Sequence, residues 1–284
     1  MNPVYLVMIN TSIISSLTMF IHMRNNSVLS LKSKRYFTLL FFGIVIVAAS
    51  EALGDCMNID GSYRTAHMIV KCVEFCVMPC LTVLMALACN VVEHPKWAVI
   101  PLSIHAIFEW LALPFKLVID IDASGFYHHG SCYFIYLIVD AASLVYLLIA
   151  FLKLSGKYGA KKMATLWMTA AVLFSALIPS IVNSKCRTSL LGITLCAIIL
   201  YEYYQSLIQR ELSDNLKKTE KSTLLLFEQT ATALVNAIDA KDKYTHGHSS
   251  RVAEYSRKIA ELSGKSAEEC SEIFFPHFCM MWER

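Results

Sequence analysis

Two groups of side chains in this sequence could do chemistry. The first is a late polar turn, KDKYTHGHSS, in which His246 and His248 flank Gly247. Imidazole nitrogens at that spacing could bind a metal, although histidines in an exposed loop are more often simply solvated. The second group is scattered through otherwise apolar stretches: Glu51, Lys71, Glu74, Glu109, Lys116 and Asp140. Ionisable groups in such stretches are expensive, and they usually face a bundle interior, paired or near water. Lys71 and Glu74 are spaced to pair within one helix. One reading is a polar pocket in which Glu74 and Glu109 contact a stimulus. The other is structural pairing that fixes the bundle. Cys72, Cys76 and Cys80 recur on one helix face and read as small packing residues. Cys56, Cys132 and Cys186 fall in alternate connections where oxidation is possible, and no bridge is assigned among them.

The elements that must carry these groups are set by composition. The 284 residues are 56% hydrophobic and 17% charged, and the mean hydropathy is +0.51. That excludes a disordered chain, a coiled-coil rod and a disulfide scaffold, and it argues against a wholly soluble enzyme. The net charge of +3 is too small to argue for nucleic acid. Apolar segments run over 4–22, 36–53, 67–89, 98–119, 134–152, 164–182 and 190–204. Most approach the ~20 residues that a helix needs to cross ~30 Å of hydrocarbon. Unpaired backbone groups are not tolerated in lipid, so the segments read as helices, about seven of them. The first has its basic residues after the apolar run, which fits a signal peptide poorly.

Lys and Arg set the orientation. Arg24, Lys32, Lys34 and Arg35 lie in the first connection, Lys96 in the third, and Lys153, Lys157, Lys161 and Lys162 in the fifth. The alternate connections hold only Arg64, Lys185 and Arg187. The positive-inside rule then puts the amino terminus outside and the tail in the cytoplasm of a multi-pass inner-membrane protein. The expected fold class is all-α: a transmembrane bundle over 1–206, a signalling helix over 207–229, and the first helices of a further domain over 230–275.

After Tyr204 the chain becomes polar, and Leu207, Ile208, Leu212, Leu216, Leu224 and Leu225 form a heptad-like stripe. The stripe reads as one helix leaving the membrane, suited to pairing with a second copy in a homodimer or to acting as an amphipathic linker. Ala233, Leu234, Ala237 and Ile238 then suggest one amphipathic helix, and Val252, Tyr255, Ile259 and Leu262 another.

The run between those helices, NAIDAKDKYTHGHSSRVAEYSRKIA over 236–260, resembles the opening of an HD-GYP domain. That family's pattern is approximately A-(I/V)-D-A-(K/R)-D-x-Y-T-x-G-H-S-x-R-V. Asp239, Lys241, Asp242, Tyr244, Thr245, Gly247, His248, Ser249, Arg251 and Val252 fit it. The resemblance implies a helical, metal-dependent phosphodiesterase that hydrolyses the bacterial messenger cyclic di-GMP, using a pair of divalent metals, iron or manganese. It makes His248 the first metal ligand and His246 a bystander at a variable position. Some members carry a Glu ligand where this chain has Tyr244. The membrane half resembles, more loosely, the multi-helix sensor regions of bacterial signalling enzymes.

The family's His-Asp dipeptide and Gly-Tyr-Pro region do not occur in these 284 residues, which end FFPHFCMMWER. Met280, Met281 and Trp282 each have one codon, giving ATG ATG TGG. Read one base earlier and continued into Glu283, this stretch encodes Asp-Val-Gly, and a suitable Cys279 codon supplies a preceding His. One lost base near Phe275 thus accounts for the tail, and residues 276–284 are expected to be out of frame. His277 and Cys279 are then not ligands, and the chain as written is expected to be inactive and to hold no metal pair. The alternatives are a non-enzymatic membrane receptor or interaction protein and, behind it, a transporter, against which no internal repeat or broken-helix pair is found.

Overall fold

The computed structural model describes residues 3–57, 61–92, 95–158, 163–182, 188–241, 248–266, 269–270 and 273. The chain divides into two compact units, Met1–Arg210 and Glu211–Arg284.

The first unit is a helix bundle. Its helices are α1 (Pro3–Asn25), α2 (Leu31–Met57), α3 (Arg64–Ala88), α4 (Lys96–Ala112), α5 (Tyr133–Tyr158), α6 (Met163–Val182) and the first part of α7 (Ser189–Lys241). Among the described residues, six helices are long and apolar enough to cross a membrane; α6 offers a shorter apolar stretch, Ala164–Ile178. The expected all-helical class holds with one addition. The apolar segment expected to run helical to Ile119 stops at Ala112 in α4. A 3-10 turn over Leu113–Phe115 follows, and Lys116 takes a left-handed φ of 53°. Two short antiparallel strands come next, β1 (Ile119–Ile121) and β2 (Tyr127–His129), pairing Ile119 with His129 and Ile121 with Tyr127. Lys116 therefore lies just beyond the candidate span Lys96–Phe115. It lies outside the helix, 3.4 Å from Asp120.

Local sequence explains the joints. Ser30 caps α2, its Oγ accepting from the Ser33 amide at 3.2 Å. Asn26 closes the α1–α2 turn by accepting from the Val28 and Leu29 amides, and its Nδ2 donates to Tyr201 Oη at 3.0 Å. In the hairpin, Asp122 Oδ1 accepts from the Ser124 and Phe126 amides, and Gly125 supplies the φ of 90° that the turn requires.

The main core packs α1, α2, α3, α5, α6 and α7 around Phe37, Leu40, Phe41, Ile44, Leu81 and Tyr201, all fully buried. Tyr201 meets the Phe37 ring edge-on at 5.2 Å between centroids, a favoured aromatic geometry. Small residues allow the helices to approach. A Cβ on Gly192 would fall 2.1 Å from Ala176 Cβ, which places α7 directly against α6. A second core, separate from the first, joins Met68, Cys72 and Phe75 of α3 to Ala112 of α4, Ile119 and Ile121 of β1, and Tyr136 of α5.

The second unit contains the remainder of α7 and α8 (His248–Leu262). α7 is a single helix of 53 residues, so the expected signalling helix is continuous with the last helix of the bundle and with the segment up to Lys241. Leu212, Leu216, Leu224, Leu225, Leu226 and Phe227 are exposed along it. In α8 the buried face is not the expected one. Ala253 and Ala260 are buried, whereas Tyr255, Ile259 and Leu262 are exposed, because no described element packs over them. α8 ends at Leu262, and the φ of 78° at Gly264 just beyond it lets the Lys265 amide reach back to the Ala260 carbonyl at 3.2 Å. Ser266 and Glu269 then form a reciprocal capping box.

Candidate functional site

Beside the second core lie Lys71, Glu74 and Glu109, three of the polar side chains that the sequence singles out inside the apolar segments, whereas Glu51 of α2 accepts a hydrogen bond from Tyr5 Oη of α1. On α3, Lys71 Nζ lies 2.6 Å from Glu74 Oε2, both side chains nearly buried. One turn separates the two residues, so the helix itself sets the pair. The ammonium also sits 5.9 Å from the centre of the Tyr127 ring on β2. Next to Glu74 in sequence, Phe75 stacks on Tyr136 of α5 at 4.4 Å and meets Tyr127 edge-on at 5.9 Å. The hairpin thus closes over the charged turn of α3 with an aromatic lining.

Glu109 stands on the neighbouring α4. Its carboxylate is fully buried, with no hydrogen-bond donor to either oxygen among the described residues, and His105 Nε2 lies 3.7 Å from Oε1. His105 is equally buried, and neither ring nitrogen makes an aligned hydrogen bond. Pro79 has no amide to donate to the Phe75 carbonyl in the turn before it, and that carbonyl is close enough to influence the His105 ring. The His105 ring also approaches Tyr136 at 6.2 Å. Cys76, facing the same place, lies 3.9 Å from the Ala106 carbonyl. Thr82 and Ser143 hydroxyls 2.6 Å apart join α3 to α5 just beyond.

Chemically the two pairs differ. Lys71 and Glu74 neutralise one another at contact distance. The His105–Glu109 pair leaves two carboxylate oxygens and two imidazole nitrogens without hydrogen bonds among the described residues, beside the aromatic ring of Tyr136. Such a site can accept a proton or hydrogen-bond donors from an incoming group, because an unsatisfied buried polar group costs about 1–3 kcal/mol.

Sequence reasoning found Glu74 and Glu109 but not what surrounds them. His105 is the partner it missed, although the spacing of four to Glu109 on a helix was a usable signal. The hairpin was missed as well. Its signals were the alternation of Ile119 and Ile121 with Asp120 and the Asp122–Gly125 turn. Outside the membrane-spanning segments, the hairpin titrates unusually. Hydrogen bonds from His128 and the Phe126 amide hold the Asp122 carboxyl below the ordinary carboxylate range. Burial, then the neighbouring His128, holds His129 below the ordinary imidazole value. His129 stacks face to face on Tyr133 at 3.8 Å.

Of the turn that resembles the HD-GYP opening, Asp239 and Lys241 end α7, while His248 and Ser249 begin α8, with Arg251 exposed in its first turn. Asp242, Tyr244, Thr245, His246 and Gly247 lie outside the described residues, as do the Cys186 and 276–284 assignments. No three His, Cys, Asp or Glu side chains among the described residues are grouped to hold a metal. Among the described residues, no donor set for a two-metal centre is assembled. The cysteines that the structure describes, including Cys56, Cys72, Cys76, Cys80 and Cys132, are free thiols. No family model, no curated protein and no solved structure matches the chain.

Proposed function

We propose that this chain is a multi-pass bacterial inner-membrane signalling protein of the HD-GYP, cyclic di-GMP phosphodiesterase type. Seven helices span the membrane, with the amino terminus outside and α7 leading into the cytoplasm. The polar core of α3, α4 and α5 under the hairpin receives the stimulus through Glu109, with Glu74 beside it. The continuous α7 carries a rotation or register shift toward the output segment, and its exposed leucines support pairing with a second copy.

The observation that carries the reading is the run Asn236–Ala260, which supplies the motif residues from Asp239 to Val252. The reading requires the family's His-Asp and Gly-Tyr-Pro for phosphodiesterase activity, and these do not occur in the 284 residues. The test is to sequence the encoding DNA across Ile273–Arg284 and downstream, and then to assay the product. Restoration of one base is expected to continue the frame into His-Asp and Gly-Tyr-Pro, and that longer product is expected to hydrolyse cyclic di-GMP. A longer product that binds metal but leaves cyclic di-GMP intact would overturn the substrate assignment. Turnover by the 284-residue chain itself would overturn the site assignment.

One observation favours a second reading, a receptor without enzymatic output: the unsatisfied His105–Glu109 pair is a sensing feature independent of the tail. A chain ending at Arg210 that still changes conformation with the stimulus would support it.

A further inference from the structure

A cavity of about 400 Å³ lies at the opposite end of the first unit from the hairpin, lined by Lys32, Asn90, Val91, Val92, Lys153 and Lys157. Its walls come from three connections. Lys32 begins α2, Asn90–Val92 leave α3, and Lys153 and Lys157 occupy the last turns of α5. These are the connections that charge asymmetry assigns to the cytoplasmic side. Asn90 turns the chain into the cavity wall through a left-handed φ of 49°.

Positive-inside lysines are ordinarily scattered and solvated. Here three converge on one cavity, and none has a carboxylate within ion-pair distance among the described residues. Lys157 is held by its own neighbour, its Nζ lying 4.9 Å from the Tyr158 ring centre. Two valines supply an apolar wall, and the exposed Leu31 and Leu152 sit beside Lys32 and Lys153 in sequence. Cationic side chains around a concave surface, bordered by apolar surface at a membrane boundary, match a phosphate with hydrocarbon attached.

We propose that this cavity binds the phosphate headgroup of an anionic phospholipid from the cytoplasmic leaflet, with the acyl chains lying along the Leu31 and Leu152 surface. Bound there, the lipid bridges the starts and ends of α2, α3 and α5. The site is distinct from the polar core under the hairpin, and the proposal does not depend on the signalling output.

The experiment uses the full chain in detergent micelles, with phosphatidylglycerol, phosphatidylcholine and inorganic phosphate as probes, read by native mass spectrometry and lipid-exchange titration. At roughly a five-fold gain per lysine near a surface, the three lysines are expected to make phosphatidylglycerol bind on the order of a hundred-fold more tightly than phosphatidylcholine. The triple variant Lys32→Gln, Lys153→Gln, Lys157→Gln is expected to lose that preference, while the triple Lys→Arg variant keeps most of it. The three side chains are exposed, so the variants leave the core intact, and circular dichroism checks this. A preference that survives the glutamine triple would overturn the site. Displacement of phosphatidylglycerol from the wild-type chain by millimolar inorganic phosphate would overturn the lipid assignment in favour of a soluble phosphate compound.

Discussion

Two neighbouring helices each bury an acid and a base, and the bundle treats them in opposite ways. On α3, Lys71 and Glu74 close to 2.6 Å and satisfy one another. On α4, His105 and Glu109 stand 3.7 Å apart with their polar atoms unbonded. Burial is similar, so burial does not separate a pair that holds the structure from a pair held ready for a partner. Hydrogen-bond satisfaction separates them. A closed pair cannot respond to an incoming proton or ligand without breaking, whereas an open pair gains whatever bonds the newcomer brings.

The largest effect should come from breaking the closed pair. Glu74→Gln strands the Lys71 ammonium in a dry site, and losing one partner of a buried ion pair costs about 3–5 kcal/mol. Thermal unfolding of the full chain in detergent should show this as a marked fall in Tm. Lys71→Met with Glu74→Leu, which removes both charges, should recover most of the loss. If Glu74→Gln alone is neutral, the closed pair does not hold α3.

The open pair should behave in the reverse sense. His105→Phe with Glu109→Leu removes four unsatisfied polar atoms and fills the same volume, a change that is neutral or stabilising by about 1–4 kcal/mol for buried pairs. The same variant should abolish the response to stimulus in a chain with restored output. A stabilised protein that still signals would place the sensor elsewhere. Glu109→Gln alone is the milder version, keeping the shape and removing the charge.

The difference between the pairs also marks how far the sequence could be read. Spacing made the Lys71–Glu74 contact legible, because one helix carries both residues and its geometry is fixed. The apolar segments made most of the helices legible for the same reason, since their length is set by the bilayer. What spacing could not reveal is the joint surface of α3, α4, α5 and the hairpin. Whether Glu109 finds a donor depends on where Phe75, Tyr127 and Tyr136 come to rest, and those are long-range packing outcomes. The helix reading that ran to Ile119 failed because hydropathy does not distinguish an apolar strand from the end of an apolar helix. At α8, Tyr255 and Ile259 have larger side chains to bury than Ala253 and Ala260, yet the two alanines are the buried residues.

Close approach of helices away from the polar core offers a smaller effect and a control. Gly192→Val adds a branched side chain where even a Cβ would meet Ala176 at 2.1 Å. Overpacking of this kind costs about 1–3 kcal/mol. The variant should lower Tm without altering lipid preference or stimulus response. A change in stimulus response would show that the α6–α7 contact takes part in transmission and is not merely structural.

The smallest effect should be a local one at the hairpin, where pH can loosen the cover over both pairs. His129 titrates below its ordinary value of 6.5 because burial against Tyr133 favours the neutral ring. Its contribution is therefore present above pH 6.5 and is lost as the pH falls toward the lowered folded value. Asp122 is also lowered, from 3.8, by its bonds to His128 and the turn amides, so its contribution persists to more acid pH and is lost only below that value. Acidification should open the hairpin in two stages, His129 first. Hydrogen exchange of the Gly130 amide, which donates to the Val118 carbonyl at 2.9 Å, reads the opening directly. His129→Phe should erase the first stage and leave the second, while Asp122→Asn should erase the second. If protection at Gly130 is flat from pH 8 to about pH 2 in the wild-type chain, the hairpin does not depend on either group, and the cover over the open pair is fixed by its apolar contacts alone.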